Sequence, residues 1–444
     1  MNDPITLHTR REFLRRTVLT SALSWTVPTF LANTFNALQA EAADQATQIA
    51  TGRDSTIFVL LQMAGGNDGL NTVIPHANDF YYRARTRIGI PTAQVLKLND
   101  QVGLHPSLAG FKELYDAGQL AIVQGVGYPN PNRSHFRSTE IWQTASDSER
   151  FEQYGWLGRY FDNACSGADP TVAINIGRQT PQAFAAKHLK CISLENPQNY
   201  RFISSRGGSH SADMMEETYR EMNEPALESA VDNSGGTIEA IAGQGTASTG
   251  SVMDYIERTA LDAQISSDKI RAVSNRVQNQ ATYPASQLGN SLKLVAKLIG
   301  GGMPTRVFYV SQGGYDTHTN QAATQTRLLK ELGDAMKAFC DDLKAQGNSE
   351  RVLIMTFSEF GRRVAENASG GTDHGAAAPL FIIGNRVHAG LLGTYPSLAP
   401  TDLFQGDLKF TVDFRSVYAS VLEGWLKTSS LPILGRRFQP LAVV

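Results

Sequence analysis

Short continuous apolar runs alternate along this chain with longer stretches of helical period. Residues 57–63 (IFVLLQM), 120–125, 172–176, 307–310, 351–357 (RVLIMTF) and 380–383 read as strands buried on both faces. Between them, residues 105–118 read as a helix with Pro106 in its first turn and Gly118 at its end. A helix also opens near Ser134, and residues 286–299 form another. After residue 321 a long helix carries Leu328, Leu329, Leu332, Met336, Phe339 and Leu343 on one face, closed by Gly347. The tail, 411–426, is an amphipathic helix with Asp413 near its start. Strands buried on both faces and separated by helices predict an α/β fold with a mostly parallel central sheet flanked by helices. From about 150 to 300 the pattern is less regular. Glycine- and serine-rich stretches at 204–213 and 233–251 punctuate helical segments around 212–223 and 252–278. This interval reads as a helical insertion, about 180–300, beside the sheet, with a lid over the site as one reading.

The strand ends carry the candidate chemistry. In an open α/β sheet, ligands sit beyond the carboxyl ends of the strands. The run 305–321 (TRVFYVSQGGYDTHTNQ) delivers Asp316 and His318 just past a strand. Residues 351–361 end in Ser358 and Glu359, and 371–384 (GTDHGAAAPLFIIG) place Asp373 and His374 before a strand. The first strand runs into Gly65-Gly66-Asn67-Asp68-Gly69, where Asp68 is either a ligand or part of a tight turn. In 128–144 (YPNPNRSHFRSTEIWQT) Ser134 is a helix N-cap, and its hydroxyl there is either a plain cap or a nucleophile toward an anionic ester. Ser138 is a second, weaker candidate. His135 and Arg137 contact an anionic substrate or lie on the surface. Acids and histidines at three strand ends weigh toward a shared functional site.

Composition narrows the classes. With 40 basic and 42 acidic residues among 444 and no basic cluster, nucleic acid is not the expected partner. Cys165, Cys191 and Cys340 are widely spaced, form no zinc knuckle and read as three buried thiols. At the N-terminus, Arg10-Arg11 followed by Phe13-Leu14 precedes a moderately apolar run, 18–32, and then Ala40-Glu41-Ala42. Residues 1–42 thus resemble a twin-arginine export signal with a small-residue cleavage site, which predicts a periplasmic or secreted protein and the twin-arginine machinery as a partner.

Together, GGNDGLNTV, LHPSL, GYPNPNRSHFRSTEIWQT, GGYDTHTNQ, FSEFGRR, GTDHG and DFRSVY resemble the bacterial domain-of-unknown-function family 1501, from about residue 55 to the C-terminus. The resemblance implies an alkaline phosphatase/sulfatase-like fold with a one- or two-metal hydrolytic site. It implies Asp68, with Asn67 beside it, as the acid after the first strand, and Ser134 as the nucleophile. Asp316, His318 and His374 would hold one divalent metal (zinc, manganese, magnesium or calcium), and Asp68, Ser134 and Glu359 a second. Glu359-Phe360 departs from the superfamily's usual Asp-His or Asp-Asn, and the Asp316-to-His318 spacing is shorter than usual. The expected function is an exported, metal-dependent hydrolase of phosphate or sulfate esters, with Ser134 and His135 catalytic and Asn67 and Arg137 binding an anionic ester substrate or envelope polymer. The alternative is a non-catalytic exported binding or assembly protein that keeps the fold.

Overall fold

Every residue of strand β1 (Ile57–Met63) is buried, as its unbroken apolar run predicts. β1 is the centre of a nine-stranded sheet whose other members are β2 (Leu120–Gly127), β3 (Ala173–Ile176), β4 (Ile192–Leu194), β5 (Val307–Gln312), β6 (Val352–Phe357), β7 (Ala378–Ile383), β8 (Gly390–Leu392) and β9 (Val412–Asp413). Their order is β8-β2-β7-β6-β1-β5-β3-β4, with β9 pairing β2. β1 pairs parallel with β5 and with β6, setting Phe58 opposite Val307 and Leu353. Only β7 runs against its neighbours, antiparallel to both β2 and β6. The computed structural model describes residues 56–189, 191–199 and 266–444. The chain divides into two compact units, residues 1–41 with 198–269, and residues 42–197 with 270–444. All that follows concerns the second. The export signal, the stretches 204–213 and 233–251, the helix around 212–223 and most of that at 252–278 lie outside the described residues.

Alternate side chains of the sheet face two helical layers. On one side Phe58 meets Trp156 of α3 (Trp156–Ala164), with ring centroids 6.0 Å apart. There Trp142 of α2 (His135–Thr144) stacks on Phe414 of α6 (Phe414–Ser420) at 4.4 Å and on Phe357 at 5.6 Å. On the other side Phe381 meets Phe111 of α1 (Ala109–Asp116) at 5.1 Å. The same face is covered by α4 (Gln287–Gly300) and by α5 (Gln321–Ala345), which buries Leu328, Leu329, Leu332, Met336, Phe339 and Leu343. Each such side chain contributes about 1.5–3 kcal/mol of transfer free energy. α5 stops where Gly347 takes φ +70°, a left-handed value natural to glycine.

Two boundaries differ from the sequence expectation. α1 begins at Ala109, because His105-Pro106-Ser107 close a turn in which Leu108 N–H donates to the His105 carbonyl (2.9 Å). The tail helix begins at Phe414, capped by Asp413, after Val412–Asp413 have paired with β2. Cys165 and Cys340 are free thiols, and Cys165 is buried.

Candidate metal centre

The sheet topology explains why residues distant in sequence meet. Loops leaving the parallel strands β1, β5 and β6 emerge at one edge. Because β7 is antiparallel, the loop that enters it, with Asp373 and His374, arrives at that same edge. β2 also ends there, and the loop after it leads through Arg133 and Ser134 into α2.

Three imidazoles converge on the Asp316 carboxylate. His135, Asp316 and His374 each offer a donor atom within 4.8 Å of the others. His318 joins them, with Nε2 2.9 Å from His374 Nε2 and 3.2 Å from Asp316 Oδ1. His374 Nε2 is also 3.2 Å from Asp316 Oδ1, and His135 Nε2 is 3.4 Å from Asp316 Oδ2. A neutral imidazole carries one N–H, and a bonded acceptor fixes which nitrogen holds it. Here every Nδ1 faces an acceptor. That of His135 meets Glu359 Oε1 (2.9 Å), that of His318 meets Asp373 Oδ1 (3.1 Å), and that of His374 meets the Arg133 carbonyl (2.8 Å). With the proton on each Nδ1, all three Nε2 lone pairs turn inward, the arrangement in which outer acceptors orient metal-ligating histidines. Burial lowers the His374 pKa despite its bond to the Arg133 carbonyl, which keeps that ring neutral. Four of the donor pairs lie 2.9–3.4 Å apart, near the roughly 3.3 Å between ligands of a tetrahedral centre, and His135, Asp316 and His374 are the three whose donors all lie within 4.8 Å of one another. His135 Nε2 is buried without a hydrogen-bond partner, and a cation would satisfy its lone pair. The residues fit a divalent metal of the zinc or manganese type.

Arg362 fixes this constellation from beneath. Its fully buried guanidinium donates to the carbonyls of Gly65, Gly66 (2.7 Å), Tyr315 (3.0 Å) and Thr372 (2.8 Å), and to Asp316 Oδ1 (2.8 Å). Partial burial raises the Asp316 carboxyl, but the bond from Arg362 and the contact with His374 outweigh it and hold it down at about 2. Bonding to Asn367, with His318 assisting, holds the Asp373 carboxyl below its usual range. The floor is the Phe360 ring, whose centroid lies 4.9 Å from that of His135 and 4.6 Å from that of His374. Gly66, at φ +76°, lets that ring approach, since a Cβ there would lie 2.2 Å from Phe360 Cε2.

Asp316, His318, His374, His135 and Glu359 thus come together, but with altered parts. His135 offers a ligand nitrogen. Glu359 Oε1 binds His135 and the Gly65 N–H (2.8 Å), and its Oε2 is buried without a partner. Ser134 stands beside them in sequence, exposed, at the N-cap of α2 with no side-chain capping bond. Ser138 is committed, its hydroxyl bonded to Tyr128 (2.7 Å) and to the Glu359 carbonyl.

Three expected site residues are engaged elsewhere. Asp68, expected as a metal ligand, is bonded within the fold. Its carboxylate caps the turn Gly69–Thr72 and forms a fully buried pair with Arg85 (2.5 Å), and it also accepts from Gln321. No lone pair is left facing the histidines. Asn67 is likewise buried, its N–H on Ser358 Oγ (2.8 Å) and its Oδ1 on Thr72. The Arg137 guanidinium stacks 4.0 Å over Phe151 and donates to the carbonyls of Asp147, Ser148 and Arg150, so it braces a loop. Sequence reasoning missed Arg362 and Gln321. Gln321 accepts from Thr317 (3.1 Å) and Thr372 (2.6 Å), which links Asp68 to both ligand loops. Only the motif FGRR held a signal for Arg362.

Comparison with known proteins adds distant likenesses. No curated protein matches the chain. Among solved structures it is similar to the lipoteichoic acid synthase LtaP from Listeria monocytogenes (8% identity, TM-score 0.35, covering 86% of this chain and 80% of that one). It is also similar to alkaline phosphatase from the Antarctic bacterium TAB5 (11% identity, TM-score 0.32, 74% and 92%). A third is the C-terminal periplasmic domain of EcEptC from Escherichia coli, in complex with Zn (9% identity, TM-score 0.31, 75% and 74%). The model of the family described as "Protein of unknown function (DUF1501)" matches residues 55–432, and the chain belongs to that family.

Proposed function

We propose that the chain is an exported, metal-dependent hydrolase of phosphate or sulfate esters, built around one divalent ion held by His135, His318, His374 and Asp316. The observation that carries this reading is the convergence of three ring nitrogens whose partner nitrogens are all bonded to acceptors. Three imidazoles and one carboxylate suit a borderline ion better than magnesium or calcium, which prefer all-oxygen sites. When bound, such an ion supplies Lewis acidity toward an ester oxygen. Glu359, Asp373 and the Arg133 carbonyl hold the three rings in the ligating tautomer. Ser134, exposed and free of capping duty, is assigned the nucleophile's part at the positive end of the α2 dipole. A second ion has little support, because Asp68 is bound to Arg85 and Phe360 offers no lone pair.

Export, with residues 1–42 as the signal, is supported by Arg10-Arg11 and the apolar run after it. The same loss of a second ion site also favours the alternative, a binding or assembly protein with the hydrolase fold. Zinc- or manganese-loaded protein assayed on p-nitrophenyl phosphate and p-nitrophenyl sulfate separates the two. Turnover that disappears in Ser134→Ala with metal retained supports the hydrolase. Metal-loaded protein that cleaves neither ester supports the binding protein.

A further inference from the structure

Beside the metal centre a buried carboxylate gathers two arginines. Asp407 is fully buried on the turn Phe404–Asp407, whose ends exchange two backbone hydrogen bonds of 3.0 Å. Arg133 donates to Asp407 Oδ2 from Nε (2.9 Å) and Nη2 (2.5 Å). Arg363 Nε stands 3.7 Å from Asp407 Oδ1, too far for a hydrogen bond, and that oxygen has no hydrogen-bond partner among the described residues. The Arg133 and Arg363 side chains are 32% and 39% exposed. Arg133 Nη1 and the whole Arg363 fork make no hydrogen bond among the described residues. A buried carboxylate needs one well-seated partner, and Arg133 is that partner. Arg363 at its distance and exposure adds little stability. The trio therefore presents one surplus positive charge and unspent N–H groups at the surface.

That charge is fixed to the metal centre through the backbone. The Arg133 carbonyl accepts from His374 Nδ1 (2.8 Å), and the Arg363 N–H donates to the Asp373 carbonyl (3.0 Å). The side chain expected to receive an anion, Arg137, is spent on loop carbonyls. A planar guanidinium with free donors matches the oxygens of phosphate or sulfate.

We propose that Arg133 and Arg363, held by Asp407, form an anion subsite for a second oxyanion group of the substrate, so that the substrate is a polyanion and not an isolated monoester. This rests on the hydrolase reading for what the neighbouring metal centre does, while the subsite itself can be tested without turnover. The probes are benzenesulfonate and benzene-1,3-disulfonate, titrated calorimetrically at low ionic strength into zinc-loaded and metal-stripped protein. Zinc-loaded wild type is expected to favour the disulfonate by about tenfold, and added salt should weaken that preference. Arg363→Gln keeps its zinc and loses the preference, whereas Arg363→Lys, which retains the charge, keeps part of it. Metal-stripped wild type still binds disulfonate, and metal-stripped Arg363→Gln does not. An unchanged preference in Arg363→Gln, or no disulfonate binding by metal-stripped wild type, overturns the subsite. Failure to take up zinc would count against the metal centre alone, because the metal-stripped titrations decide the subsite independently.

Discussion

His318 Nε2 and His374 Nε2 face each other across 2.9 Å, while the opposite nitrogens donate to Asp373 and to the Arg133 carbonyl. Two neutral rings in those tautomers direct lone pair against lone pair, and a cation between them removes the repulsion. The outer acceptors therefore set the metal affinity. Asp373→Asn should weaken zinc binding by about ten- to a hundredfold, the usual range for losing an outer-shell partner. Competition against a chromogenic chelator measures it. Affinity equal to wild type would mean that Asp373 does not orient His318.

Asp68 separates a stability role from a ligand role. Its pair with Arg85 is fully buried, and removing one partner of such a pair costs about 3–5 kcal/mol. Asp68→Ala should lower the unfolding free energy by about that much while leaving the metal content of the folded protein unchanged. Denaturant unfolding and elemental analysis of the same sample test both halves. Metal loss without destabilisation would restore Asp68 as a ligand.

What was legible in the sequence divides along physical lines. The strands and the long helix follow from periodicity, because a fully buried strand must be apolar throughout and a helix on a sheet must keep one face apolar. That Asp316, His318 and His374 come together is legible because the carboxyl edge of a mostly parallel sheet gathers the loops that carry them. Asp68 raises the same expectation for the same reason. It follows a buried strand, but only the fold reveals Arg85, 17 residues on, closing over it. The sequence marks His135 as catalytic, but its turn toward Asp316 depends on Glu359, 224 residues away. Arg362 spends its donors on four backbone carbonyls, and sequence carries no mark of where carbonyls will gather.

His105 gives a pH signature away from the metal centre. Burial lowers its pKa from 6.5 to about 4, although Asp68 pulls it upward. The folded state keeps the ring neutral while the unfolded chain binds a proton below about pH 6.5. The unfolded state therefore holds more protons between those values, and stability falls as pH drops from about 6.5 toward 4, by an upper bound of roughly 3 kcal/mol. His105→Asn should flatten that part of the profile. Parallel pH profiles of wild type and variant would contradict it.

Export should require the guanidinium pair. Replacing Arg10 and Arg11 together with lysine keeps the charge but not the planar fork, so precursor should remain in the cytoplasm. Fractionation with immunodetection reads the result. Normal periplasmic accumulation would refute twin-arginine export.

The proposed centre holds a single divalent ion on His135, His318, His374 and Asp316. Metal analysis of natively purified protein, beside His374→Ala handled identically, decides it. One ion of the zinc or manganese type per chain in the wild type, and near none in folded His374→Ala, is the predicted result. Two equally tight ions, or metal retained in full by His374→Ala, would contradict it.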